Sequence, residues 1–92
     1  MVKVINLSNQ LIKVIVDAGD VGEEANEVLI QPHGGEHTWH RSGIRICRMC
    51  AYSLWHDFRV FDNHVVTLTP DFQIIGNLGF VAIDARHDGP HL

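Results

Sequence analysis

Three histidines, His33, His37 and His40, surround a Gly-Gly pair and a tryptophan in the stretch IQPHGGEHTWHRSG, Ile30 to Gly43. Imidazoles at this density are ligands that zinc, copper or nickel accept, provided that they converge on one point, and Glu36 would complete a mixed site. Convergence is the constraint. Along a strand only residues of equal parity share a face, and His37 and His40 differ in parity. A turn at Gly34-Gly35 would fold His33 back toward one of them. Solvated strand and turn histidines are the commoner outcome, so a metal site on His33, His37 and His40 ranks behind a polar turn, and no cofactor is expected.

The segment CRMC places Cys47 and Cys50 at the C-x-x-C spacing of zinc knuckles and thioredoxin-like redox motifs. The first needs a second ligand pair and the second a helix N-terminus that lowers a thiol pKa; the sequence carries neither signal. In an extended strand the two sulfurs point to opposite faces, which makes both cysteines structural. In SLWHDF, Ser53, His56 and Asp57 are close in sequence, but adjacency is not triad geometry. There is no Gly-x-Ser-x-Gly elbow, P-loop or dinucleotide fingerprint, so the expectation is a protein that is not an enzyme.

Trp39 lies between His37 and the pair His40 and Arg41. An indole beside polar groups is what a sugar- or choline-binding surface uses, since its face stacks on C–H bonds or attracts a cation while neighbours hydrogen-bond hydroxyls. Trp39, His37, His40 and Arg41, with Tyr52, are therefore the candidate ligand-binding residues. The competing reading packs Trp39 into the interior, and Trp55 fits the interior better still.

The elements that must position these residues are strands. β-Branched residues recur at period two in VKVINLS and LIKVIVDAG, with Val2 and Val4, then Ile12, Val14 and Val16, and these are read as a hairpin. The acidic loop DAGDVGEEANE follows. EVLIQP is a short strand ended by Pro32, Gly34-Gly35 supplies a tight reversal, and EHTWHR returns. IRICRMCAYSLW alternates imperfectly, which predicts a bulge or bend near Met49 to Tyr52. DFRVFDNHVVTLTP reads as a hairpin through Asp62-Asn63, and FQIIGNLGFVAIDAR as a pair, Phe72 to Ile75 and Gly79 to Ala85, hinged at Gly76-Asn77. No window carries a sustained helical stripe. The fold class is all-β, a compact antiparallel β-sandwich or barrel of about eight short strands.

The bulk properties agree. Ninety-two residues with 46% hydrophobic and 20% charged content suit one folded domain, 1–92, with 87–92 a flexible tail. A formal charge of -4 argues against nucleic acid as a partner. The chain is histidine-rich: seven imidazoles, all protonated, would carry the charge from -4 to +3. The start MVKVINLSNQ lacks a signal-peptide pattern and no run suffices for a transmembrane segment, so a soluble protein is expected, cytoplasmic or secreted without a visible signal peptide. The Asn-Leu-Ser sequon at Asn6 matters only after secretion. Sheet edges in so small a domain invite another chain, which makes a homo-oligomer the expected state.

The spacing of VKVINLSNQLIKVIVDAG and IQPHGGEHTWHRSG resembles that of small cytolysin-like and lectin-like β-sandwich proteins of fungi and related microbes. Val2, Val4, Asn6 and Ser8 match a Val-x-Val-x-Asn-x-Ser segment, an acidic Gly-rich loop follows, and Pro32, Gly34, Trp39 and Arg41 match a Pro-Gly...Trp-x-Arg element. The histidines and CRMCAYSLWHDF have no counterpart there. The resemblance implies a sandwich that binds sugars or lipid head groups and transfers no assigned site. The leading expectation is thus a non-enzymatic binding or defence-type module for a glycan or lipid head group; a self-assembling structural protein and a histidine-based metal-binding protein are the alternatives.

Overall fold

A computed structural model describes residues 1–17 and 26–77, and the backbone of 83–87. Among these there are nine strands and no helix: β1 Val2–Asn6, β2 Ile12–Val16, β3 Val28–Ile30, β4 Gly35–Trp39, β5 Arg45–Ala51, β6 Leu54–Val60, β7 Val65–Leu68, β8 Ile74–Gly76 and β9 Ile83–His87. They form two sheets, ordered β4-β1-β7-β8 and β3-β2-β5-β6-β9. The architecture is a two-sheet sandwich and not a closed barrel.

The period-two residues make the interior. Val2, Val4, Trp39, Val66 and Leu68 of the four-stranded sheet share one buried cluster with Ile12, Val14, Val16, Ile30, Cys47, Met49, Phe58 and Val60 of the other. Each such aliphatic or aromatic side chain contributes roughly 1.5–3 kcal/mol on burial. The described sheets are antiparallel with one exception, since β1 runs parallel to β7 with Val4 beside Val66.

The expected hairpins are where structure and sequence reading part. β1 and β2 lie in different sheets, as do β3 and β4, β6 and β7, and β8 and β9. The links at Leu7–Leu11, Gln31–Gly34 and Phe61–His64 are arches that carry the chain across the sandwich, so the reversal at Gly34-Gly35 is an inter-sheet turn. The segment expected to return as Gly79 to Ala85 lies partly outside the described residues, and its described part, β9, pairs with β6 and not with β8. Residues of one parity still face the interior on both sides of an arch, which is why an arch and a hairpin look alike in sequence.

Two links are true tight hairpins. β5 and β6 pair from Arg45↔Val60 to Ala51↔Leu54 without a register shift, and turn at Tyr52-Ser53. The irregularity expected near Met49 to Tyr52 is that turn; the register shift of β6 falls at Asp57/Phe58, against β9. β7 and β8 join through Thr69–Gln73, closed by Phe72 N–H to Thr69 O at 3.0 Å. His87, the first residue of the expected tail, pairs with Trp55 in β9; 88–92 and the acidic residues 18–25 lie outside the described set.

The first two arches are locked together by Asn6 and Ser8, both fully buried. Asn6 Nδ2 donates to Gln10 O at 2.7 Å and Ile30 O at 3.2 Å, while its Oδ1 accepts from Ser8 N–H at 3.0 Å and Ser8 Oγ–H at 2.6 Å. The main chain completes the clamp: Gly34 N–H donates to Asn6 O and His33 N–H to Ser8 O. Every hydrogen-bonding position of the Asn6 amide is used. In the second arch His33 and Gly34 take positive φ, 63° and 111°. Gly35 serves close approach, because a Cβ there would stand 2.4 Å from Gln31 O.

Candidate functional site

The side chains expected to form a ligand site are distributed over both ends of the sandwich. Trp39 closes β4 opposite Val2 and is 6% exposed, inside the core cluster. Its expected role on a polar rim is therefore corrected: parity with the inward Val2 points the indole into the sandwich. His37, two residues earlier on the same face, is exposed and lies edge-on to it, ring centroids 4.6 Å apart at 65°. Arg41 spends its guanidinium on backbone carbonyls, Nε to Asp17 O at 3.1 Å and Nη2 to Val16 O at 3.4 Å. That ties the β4–β5 link to the end of β2, a structural duty for a residue expected to meet ligand. His40 is exposed beside it.

His33 and His40 flank β4 at opposite ends of a strand about 13 Å long at the usual 3.3–3.4 Å rise per residue. The expected zinc, copper or nickel cradle of His33, His37 and His40 is thus not assembled. Among the described residues no three His, Cys, Asp or Glu side chains are gathered as a metal would require. Cys47 is fully buried on the inner face while Cys50 lies half-buried on the outer face, as the extended strand dictates, and both are free thiols. Burial pushes both thiols up in pKa, Cys47 far above the ordinary range. Trp55 is buried too, but its partner Cys50 places it on the outer face of the five-stranded sheet, outside the core cluster.

Ser53, His56 and Asp57 do not converge. Ser53 is exposed in the hairpin turn, His56 is paired with Met49 and Asp57 with Arg48, and the Asp57 carboxylate lies 3.9 Å from Arg48 Nε.

Tyr52 stands apart, at the end of the sandwich opposite to Trp39. It is 58% exposed, and its ring meets that of Phe72 from the other sheet's hairpin in a tilted contact, centroids 4.6 Å apart at 51°. Both residues hold positive φ, 52° and 65°, and Ser53 follows at 62°. Positive φ at both central residues is the type I′ signature that Asn-Gly satisfies without strain; Tyr-Ser does not. Non-glycine residues in such conformations cost of order 1–3 kcal/mol each and recur at ligand clamps and active sites. Leu7 and Leu11, 43% and 48% exposed, occupy the first arch at the same end. Extending the β2–β5 register by two residues past Lys13↔Cys50 puts Leu11 opposite Tyr52. Phe72 was absent from the residues picked out by sequence, since nothing local marks a phenylalanine as strained.

Comparison with protein-family models, curated proteins and solved structures returned no match to this chain. No helix among the described residues is long and apolar enough to cross a membrane.

Proposed function

We propose that this protein is a non-enzymatic binding module of defence type that recognises a glycan or a lipid head group at the end of the sandwich bearing Tyr52. The observation that supports this reading is the Tyr52–Phe72 pair: two aromatic rings in tilted contact across the two sheets, with Tyr52 exposed, each on a backbone that its side chain disfavours. An exposed ring immobilised in this way offers a flat face to sugar C–H bonds or a choline group at little further entropic cost. Leu7 and Leu11 supply apolar contact around it.

The test compares wild type with Tyr52→Ala on a glycan array and on phosphatidylcholine vesicles. The substitution is expected to reduce binding at least about tenfold, the range of a hot-spot aromatic, with the thermal midpoint lowered only slightly, since alanine keeps the positive φ and the ring removed is mostly exposed. Equal binding by the two proteins would remove Tyr52 from the site and the reading with it.

Self-assembly is the second reading, favoured by β4 as an edge strand among the described residues. β3 and β8 are three-residue edges, too short to template much pairing, whereas β4 beside β1 and β9 beside β6 present five residues each. Native mass spectrometry of the untagged protein decides: a symmetric homo-oligomer supports assembly, and a monomer at tens of micromolar retires it.

A further inference from the structure

The end of the sandwich that bears Tyr52 differs in composition from the rest of the molecule. β1 ends there at Asn6, opposite Gly35 and beside Leu68, while β2 begins there at Ile12 opposite Ile30, and β8 at Ile74 opposite Leu68. The connections 7–11, 31–34, 52–53 and 69–73 therefore share this end. Together they hold no lysine and no arginine; Asp71 is their one carboxylate and His33 their one imidazole. The nearest ion pairs, Lys13 with Glu27 and Lys3 with Glu36, lie on the outer faces of the two sheets and are each neutral as a pair.

Apolar groups take the place of charge, and the backbone holds them firmly. Leu7, Leu11 and Tyr52 are all exposed, with Leu11 opposite Tyr52 across the extended β2–β5 register. Leu7 N–H donates to Leu68 O at 2.8 Å, and Leu7 and Leu11 bracket the buried Asn6–Ser8 clamp. Phe72 packs against the core and carries Tyr52 in ring contact. Of the five non-glycine residues with positive φ among the described ones, four lie in these connections: His33, Tyr52, Ser53 and Phe72. Exposed apolar surface and backbone strain both cost stability, and strained residues recur where a partner is gripped.

The charge of this end narrows the partner. An anionic membrane attracts proteins through clustered lysine and arginine, which the end lacks, and would repel Asp71. A zwitterionic bilayer matches it: choline ammonium groups stand outermost, with hydrocarbon beneath. Tyrosine settles at the level of head groups, and leucine gains by leaving water for the layer below. The Tyr52 ring face and the exposed Asp71 carboxylate are both attractors of a quaternary ammonium. Asp71 Oδ1 accepts from the Thr69 hydroxyl, which fixes the carboxylate in the same turn as Phe72.

We propose that this end docks on a zwitterionic bilayer of phosphatidylcholine type, with Leu7 and Leu11 entering the interface and Tyr52 and Asp71 receiving a choline ammonium. The inference rests on the reading of the Tyr52 end as a binding site and narrows its partner to an intact bilayer surface. The strands then stand upright on the membrane. Asp17 and Glu27, at the far ends of β2 and β3, are held away from the lipid phosphates.

The test is flotation of the full chain with vesicles of phosphatidylcholine and of an equal mixture with phosphatidylglycerol, beside soluble phosphocholine and a glycan array. The chain is expected to float with phosphatidylcholine and less with the mixture. Leu7→Glu and Leu11→Glu, both at exposed positions, should each weaken flotation at least about tenfold, and either makes the test if the other fails to fold. Asp71→Asn keeps an acceptor for the Thr69 hydroxyl while deleting the charge, and should narrow the preference for phosphatidylcholine over the mixture. An unchanged preference would overturn the carboxylate–choline contact, and flotation unaffected by either leucine variant would overturn the docking surface. Stronger flotation of wild type with the mixture would overturn the zwitterionic partner. Binding of a glycan or of soluble phosphocholine that Tyr52→Ala abolishes, with no flotation, would overturn the bilayer and leave the Tyr52 reading standing. A dimer in native mass spectra that Leu11→Glu returns to monomer, again with no flotation, would give this end to a second copy. Absence of binding to every probe would remove both the inference and the reading beneath it.

Discussion

Asn6 carries more of the fold than its small side chain suggests. Its amide satisfies Gln10 O, Ile30 O and both polar groups of Ser8 inside the sandwich. Asn6→Ala strands several of these at once, and buried groups left unpaired cost about 1–3 kcal/mol each. Thermal unfolding should register a fall of at least about 10 °C in the midpoint, since one kcal/mol moves a domain of this size by roughly 4–8 °C. The same burial means that the Asn-Leu-Ser sequon offers no free amide in the folded protein. Burial also holds the His64 imidazole below its ordinary pKa, so the unfolded chain takes up a proton first as pH falls below about 6.5. Stability from His64 is therefore complete above about pH 6.5 and drains away as pH falls through the lower folded-state value. Urea midpoints between about pH 7.5 and about pH 5 should drop more for wild type than for His64→Asn, which has no imidazole to titrate there.

Strand positions were legible from alternation: Val2 and Val4, Ile12 to Val16, and the runs flanking Asp62-Asn63 are all strands with the expected residues inside. Pairing was not. Gly34 and Asn63 do adopt the left-handed conformations their types allow, yet the chain leaving each turn enters the opposite sheet. Turn chemistry reports a change of direction; which sheet receives the next strand depends on distant partners such as β7 beside β1 and β5 beside β2. The real β5–β6 hairpin carries Tyr-Ser and no turn signature at all. Trp39 as a ligand platform was likewise a local inference that long-range register with Val2 reversed. The strain at the Tyr-Ser turn yields its own check. Ser53 is exposed at φ 62°, so Ser53→Gly should stabilise by about 0.5–1 kcal/mol, with glycine's greater freedom in the unfolded chain taking back part of the gain. A thermal midpoint raised by about 4 °C with ligand binding intact is the expected result.

Five of the eight links between consecutive described strands cross the sandwich, and the first strand is flanked by the fourth and the seventh. A nascent chain therefore cannot finish the four-stranded sheet until β7 and β8 have been made, more than sixty residues after β1. Sequence-local pairing is confined to the β5–β6 and β7–β8 hairpins, and loop-closure entropy must be met before the other pairings stabilise anything. Stopped-flow refolding monitored by tryptophan fluorescence should be slow for so short a chain, in the range of milliseconds to about a second that non-local β topologies occupy. Until then β1, rich in valine and isoleucine, keeps the edge that β7 will cover open, with only β4 beside it. The arches that make the folded sandwich cohere thus also fix the interval during which the protein is most exposed to pairing with another copy of itself.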